Sequence, residues 1–241
     1  MTYLRSILLI TCATTALTSP LPPACTTETL ANYQALTSGC TIGPPPTFTF
    51  SDFMFTASVT SGSPTLLTTT GITVTPDNAT PGALALQFAS SGFSVGNGEG
   101  VKYVISYTVD PPPPEIIRFA SALDPPPFSG LAQVQTELCV GAAFVGATCP
   151  TGITDTLTVF QNGASSMLND STDLSGIVAT LGVINTITLS AGAVAPGDPA
   201  SFSSFSNTVV TNVPEPASGV LSIGALSLFL FVSRRARTKV S

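Results

Sequence analysis

The chain has 241 residues, of which 44% are hydrophobic and only 8% are charged, with 21 Pro, 20 Gly, no Trp and no His. Between Glu28 and Asp198 there are two basic residues, Lys102 and Arg118, against twelve acidic ones, a net charge of −10. This charge excludes nucleic-acid binding, which needs a basic surface, and the lack of histidine excludes Ser-His-Asp catalysis and histidine-bound metals.

The first residues, MTYLRSILLITCATTALTSP, have the pattern of a secretory signal peptide. Arg5 is followed by a short apolar run and then by small residues, and the run is too short for a transmembrane helix. We expect cleavage between residues 16 and 24, so that residues 1–24 contain the signal peptide and the start of the mature chain. An acylated Cys12 is the alternative, although Thr11 is a poor match for the residue before such a cysteine.

Four cysteines remain after the signal peptide: Cys25, Cys40, Cys139 and Cys149. An even number in an exported chain indicates two disulfides, with three possible connectivities. We expect the local pairs Cys25–Cys40 and Cys139–Cys149, because they close the shortest loops. Zinc binding is the alternative, but the spacing lacks paired CxxC motifs.

Residues 25–212 are predicted to form one all-β domain, an antiparallel β-sandwich or jelly roll. Residues 101–109 and 132–140 alternate between apolar and polar side chains, which is typical of strands. The aromatic residues between 48 and 59 change parity at Ser51 and Asp52, which indicates a β-bulge. A short helix is predicted over residues 27–36 with Thr27 as its N-cap.

Other strands and turns of this region follow from shorter patterns. Strands are predicted in GITVTP, ALALQF, TLTVF, NTITLS and NTVVT, and turns at residues 76–78, 96–100, 161–163 and 196–198. Three proline clusters, at residues 43–47, 110–115 and 124–128, are interpreted as stiff connectors between strands that protect sheet edges. A polyproline ligand for a partner domain is the alternative interpretation.

We expect no enzyme activity and no cofactor. Asp110, Glu115 and Asp124 are the carboxylates that a glycoside hydrolase could use, but they flank proline turns and the chain has no Trp to stack on sugars. Asn169, Asp170 and Asp173 place several oxygen ligands in one segment and form a weak calcium candidate. A solvated turn is the alternative for that segment.

Residues 217–233 form an uncharged apolar run of 17 residues. As a helix rising ~1.5 Å per residue it would span roughly 25 Å, the lower limit for crossing a bilayer. The run is followed at once by the basic residues Arg234, Arg235, Arg237 and Lys239. The positive-inside rule places this tail (234–239) in the cytoplasm and the rest of the chain outside. A buried core helix is the alternative, but it would not need these cations.

Just before this run stand Val213, Pro214, Glu215 and Pro216, where two prolines keep the backbone extended. The tripeptide, the apolar run and the basic cluster together resemble the PEP-CTERM sorting signal of Gram-negative bacteria, a signature also described as an ice-binding protein C-terminal domain. The resemblance covers residues 213–239. It implies recognition and cleavage by exosortase, a membrane transpeptidase of exopolysaccharide-producing species.

The sequence therefore predicts an exported, non-catalytic protein. We expect export through the secretion translocon, transient anchoring in the inner membrane by the C-terminal helix, and then residence at the cell surface or in the exopolysaccharide matrix of a biofilm. One alternative is a module that binds carbohydrate through a flat sheet face, with ice as a less favoured ligand. The other is a surface glycoside hydrolase.

Overall fold

A computed structural model describes residues 21–43, 47–80, 82–111, 116–124, 130–174, 178–192 and 199–211. Residues 1–20 of the predicted signal-peptide region, the sorting signal, the apolar run 217–233 and the turn expected at 196–198 lie outside these residues. No helix within the described ranges is long and apolar enough to span a bilayer.

Most of the described chain is extended. In chain order its elements are β1 (Glu28–Thr29), α1 (Leu30–Ala35), β2 (Cys40–Ile42), β3 (Phe48–Ser61), a 3-10 turn (Thr69–Gly71), β4 (Thr73–Thr80), β5 (Ala83–Ala89), β6 (Ser94–Val95), β7 (Gly100–Asp110), β8 (Ile116–Leu123), β9 (Leu131–Val140), β10 (Thr154–Asn162), β11 (Ser165–Met167), β12 (Asn169–Asp173), β13 (Leu181–Ser190), β14 (Ala200–Ser201) and β15 (Ser204–Thr211).

Two antiparallel sheets make up the sandwich. The seven-stranded sheet has the order β11-β10-β9-β13-β7-β3-β2, and the six-stranded sheet has the order β1-β4-β5-β15-β8-β12. β6 and β14 form a separate short pair. Strands β7 and β9 contain the two alternating segments recognised in the sequence, and the apolar residues on their core-facing side are buried. The predicted antiparallel β-sandwich is confirmed for these residues.

Aromatic side chains hold the two sheets together. Tyr107 of β7 lies 6.0 Å from Phe88 of β5, measured between ring centroids. Phe88 in turn stacks on Phe205 at 5.0 Å, and Phe53 stacks on Tyr107 at 5.5 Å. Aromatic pairs at such distances contribute about 0.5–1.5 kcal/mol beyond their burial. This cluster therefore fixes the centre of the core.

The parity change in β3 is a β-bulge, as the sequence predicts. The pairing of β3 with β7 shifts between Ser51 and Met54, and Asp52 takes a positive φ of 57°. The extra residue lets Phe50 and Phe53 both point into the core, where they are 2% and 5% exposed.

The helix is shorter than predicted, and Thr27 is not its cap. Helix α1 begins at Leu30, and the side chain of Thr29 accepts a hydrogen bond from the Asn32 amide at 3.3 Å. The reason is non-local: Glu28 and Thr29 pair with β4 and stay extended, which delays the start of the helix.

The turn predicted at residues 76–78 is also wrong, because these residues belong to β4. Pro76 and Asp77 are paired with β5, and the register shifts only after Asp77. The chain reverses between Thr80 and Ala83 instead. The turns predicted at residues 96–100 and 161–163 are present, with Gly98 and Gly163 at positive φ values of 72° and 56°.

Both expected disulfides are present. Cys25 is bonded to Cys40, and Cys139 is bonded to Cys149. The first bond fixes the segment before α1 against β2, where the Thr41 amide also donates to the Pro23 carbonyl at 2.8 Å. Two disulfides indicate an oxidising environment, extracellular or periplasmic.

Glycine is required at position 39, directly before β2. Gly39 has a φ of 68°, and a Cβ there would lie 2.3 Å from the Phe50 carbonyl oxygen. A left-handed residue with a side chain costs about 1–2 kcal/mol before any clash. We expect Gly39→Ala to lower the free energy of unfolding by about 1 kcal/mol or more beyond the loss in Gly98→Ala.

Gly98→Ala is the matched control, because Gly98 has a φ of 72° but no atom within 4 Å of the added Cβ. Urea denaturation of both variants measures the difference. Equal losses would show that the contact with Phe50 is unimportant.

The proline clusters separate strands, as expected of connectors. Residues 43–47 lie between β2 and β3, residues 110–115 lead from β7 to β8, and residues 124–128 lead from β8 to β9. The second and third clusters therefore each carry the chain from one sheet to the other. Most of the prolines themselves lie outside the described residues.

A buried polar cluster crosses the core and consists of Tyr107, Ser121, Thr136, Asn185 and Asn207. The Asn207 amide donates to Tyr107 at 3.0 Å and to the Oδ1 of Asn185 at 2.7 Å. The Thr136 hydroxyl donates to the same Oδ1 at 2.8 Å. Burial raises the pKa of the Tyr107 phenol, and the hydrogen bond from the Asn207 amide opposes this only in part. The cluster links both sheets at a point closed to solvent.

Candidate ligand-binding face

The outer face of the seven-stranded sheet is an ordered array of side chains. Residues such as Tyr103, Val134 and Ile187 point into the core, so their neighbours along each strand point outward. Strand pairing aligns these outward residues in three rows across five strands. Row one is Phe160, Gln133, Thr188, Lys102 and Ser58; row two is Thr158, Gln135, Thr186, Val104 and Thr56; row three is Thr156, Glu137, Ile184, Ser106 and Met54.

A groove of about 350 Å³ lies on this face. Val104, Ile184 and the 56%-exposed Met54 supply its apolar surface. Its polar side chains come from all three rows: Thr56, Lys102, Ser106, Glu137 and Thr186. The groove therefore offers apolar area together with hydroxyl, ammonium and carboxylate groups.

The loop between β9 and β10 forms one wall of the groove, through Gly146 and Ala147. The Cys139–Cys149 bond closes this loop, and the Gly182 amide of β13 donates to the Ala142 carbonyl at 3.0 Å. A Cβ at Gly182 would lie 2.9 Å from the Phe144 nitrogen. The disulfide and the missing side chain thus allow the loop to fold back over the sheet.

Lys102 has no carboxylate partner within the described residues. The one ion pair found there joins Arg118 to Asp173, with Nε and Oδ1 2.6 Å apart. That hydrogen bond and the charge of Arg118 hold the pKa of the Asp173 carboxyl below its usual value. Glu137 lies two strands and two rows from Lys102, so their Cα atoms are roughly 16 Å apart.

The calcium candidate is not a loop or a turn. Asn169–Asp173 is the edge strand β12, so Asp170 faces the opposite side of the sheet from Asn169 and Asp173. Asp170 accepts a hydrogen bond from the Thr158 amide at 2.8 Å, and Asp173 binds Arg118. Within the described ranges, no three His, Cys, Asp or Glu residues are grouped as metal ligands would be. The acids of β12 instead connect it to β8 and β10.

The structure does not bring Asp110 and Asp124 together. Asp110 ends β7, at the end of the sandwich where β8 begins, and Asp124 follows the last residue of β8. A strand of that length spans about 26 Å, whereas paired glycosidase carboxylates lie about 5–10 Å apart. Asp110 accepts a hydrogen bond from Thr180, and Asp124 accepts one from Ser203. Glu115 lies outside the described residues.

No motif in the sequence marks the groove residues. Lys102 could nonetheless have been noticed, because it is one of two basic residues between Glu28 and Asp198 and occupies an outward-facing position of its strand. The sequence could not show that Lys102, Thr186 and Glu137 share one face, because strand register depends on distant parts of the chain.

The fold and the site define a disulfide-linked antiparallel β-sandwich with a largely polar outer face on its seven-stranded sheet. Neither a family model nor a curated protein matches the chain. Three solved structures are similar over 65% of it: TmCBM61 in complex with beta-1,4-galactotriose (9% identity, 84% of that chain, TM-score 0.30), CtCBM11 (9%, 89%, 0.24) and the enzymatically active domain of bacteriophage CBA120 tailspike protein 4 (10%, 19%, 0.24). At these scores, the function has to be argued from the chain's own residues.

Proposed function

We propose that this protein is an exported, non-catalytic component of the cell surface or the extracellular matrix, sorted by its C-terminal signal. Val213, Pro214, Glu215 and Pro216 are the segment that exosortase recognises, with Arg234, Arg235 and Arg237 halting translocation. The chain is exported through the translocon, held transiently in the inner membrane, cleaved near Pro216, and then released or attached. Its matrix partner is exopolysaccharide.

The observation that carries this proposal is that the last described strand, just before the sorting signal, is fully paired within the sandwich. Thr211 is the last residue of β15 and is 8% exposed, and its amide donates to the Gly82 carbonyl at 2.8 Å. Only Asn212 separates it from Val213. β15 is paired with β5 and β8 on its two sides, so neither edge of this strand is left for the sorting signal to pair with. This pairing supports the proposal that a membrane enzyme reads the signal.

Two further features support export and a non-catalytic role. The disulfides need an oxidising compartment, and several of the described acids accept hydrogen bonds within the body, among them Asp110, Asp124 and Asp170. The body also has a polar surface with few cations. Such a surface stays hydrated and binds polyanions poorly, which suits weak contacts within a hydrated matrix.

The test is mass spectrometry of the mature C-terminus from hosts with and without exosortase. We expect the residues after Pro216 to be lost only in the host with exosortase, because exosortase is the enzyme proposed to cleave the chain near this residue. The double variant Pro214→Ala/Pro216→Ala is expected to keep its tail, because its backbone is no longer held extended for recognition by exosortase. Pro64→Ala in the body is the control and should be processed normally. The same intact tail in both hosts would refute the proposal.

A further inference from the structure

We propose that the groove and row one together bind a neutral polysaccharide chain running across the strands. Row one and the groove overlap at Lys102. This inference rests on the proposed association with exopolysaccharide and names the surface that makes the contact.

The rows suit a polymer of regular repeat. Neighbouring strands are about 4.8 Å apart, so each row presents one side chain at that interval over roughly 19 Å. In row one, Gln133, Thr188, Lys102 and Ser58 all carry groups that hydrogen-bond to hydroxyls, and Phe160 offers an apolar ring at one end. A chain of hydroxylated rings laid across the strands would meet a partner at each step.

The groove suits single sugar rings. A pyranose has apolar C–H faces and polar hydroxyl edges, and the groove pairs the apolar Val104 and Ile184 with the hydroxyls of Thr186 and Ser106. Its volume of about 350 Å³ is at the lower end of the range for ligand sites. The groove would therefore hold a short stretch of the chain, while row one extends the contact.

Charge favours a neutral polymer over an acidic one. The region from Glu28 to Asp198 has a net charge of −10, and charges repel over a Debye length of about 8–10 Å at moderate salt. A polyanion would be attracted by one cation on this face, Lys102, and would be repelled by Glu137 on the same face. With a neutral chain, Lys102 and Glu137 act as hydrogen-bond donor and acceptor, and the repulsion is absent.

The test measures binding of the full chain in detergent micelles to dextran, a β-glucan, a β-galactan and polygalacturonate, by affinity electrophoresis. We expect binding to at least one neutral polymer that changes little between low and high salt. Lys102→Met and Thr186→Val are expected to weaken it about threefold to tenfold each, the loss of one hydrogen bond.

Matched controls exist on the other sheet. Arg118→Gln removes one cation and Thr208→Val removes one hydroxyl from the outer face of the six-stranded sheet, and neither should change binding. Failure of all three neutral polymers to bind, or equal binding by groove and control variants, would overturn the inference. Binding of polygalacturonate alone would also overturn it.

The outcome separates this inference from the proposed function. A chain whose tail is processed but which binds none of the neutral polymers refutes the groove assignment alone. A chain that binds through the groove but keeps its tail in both hosts refutes the sorting assignment alone.

Discussion

Replacing Asn207 with alanine is expected to lower the free energy of unfolding by about 3 kcal/mol or more. The Asn207 side chain is 2% exposed and hydrogen-bonds to Tyr107, Asn185 and Ser121. Its removal leaves at least two buried polar groups short of a partner, at about 1–3 kcal/mol each, and opens a small cavity. The loss is large because Asn207 joins the two sheets.

The measurement is urea denaturation followed by tyrosine fluorescence, since the chain has no Trp. Asn169→Ala is the control: it makes the same change at an exposed position of β12, where surface substitutions shift stability by about 0.5 kcal/mol or less. If both variants lost the same amount, the buried polar cluster would contribute nothing specific.

Replacing Cys25 and Cys40 with serine is expected to cost about 3 kcal/mol. The bond closes a separation of 15 residues, and cross-linking a loop of that length restricts the unfolded chain by about this amount. Cys139→Ser/Cys149→Ser should cost slightly less, because its separation is 10 residues.

The two disulfide variants should differ in one further property. Loss of Cys139–Cys149 loosens the wall of the groove and should weaken polysaccharide binding, whereas loss of Cys25–Cys40 should not. Thermal unfolding and affinity electrophoresis of both double variants test this. Unchanged stability without Cys25–Cys40 would contradict the entropic argument.

Local patterns predicted the strands well. The two-residue period of β7 and β9 and the parity change in β3 depend on neighbouring residues only, and all three were correct. The disulfide pairing was also predictable, because both pairs lie close in sequence. The sorting signal stays a prediction, since it lies outside the described residues.

Non-local pairing caused the errors. Thr27 failed as a cap because Glu28 pairs with Val74, and Pro76 joined β4 because Leu86 pairs with it. The groove could not be predicted either, since its residues come from four strands and one loop. The buried polar cluster was easier to predict from the sequence. Asn185 shares the parity of Ile187, and Asn207 shares that of Val209, so strand alternation alone places both side chains inside.

The position of β15 also determines how the body would respond to a pulling force. A chain anchored through its C-terminal tail is loaded at Thr211, along the axis of a strand held by β5 and β8. Force in that direction shears the hydrogen bonds on both sides together, whereas pulling on an edge strand would open them one at a time. If the proposed sorting attaches the chain near Pro216, this arrangement resists extension in the direction in which the attachment pulls.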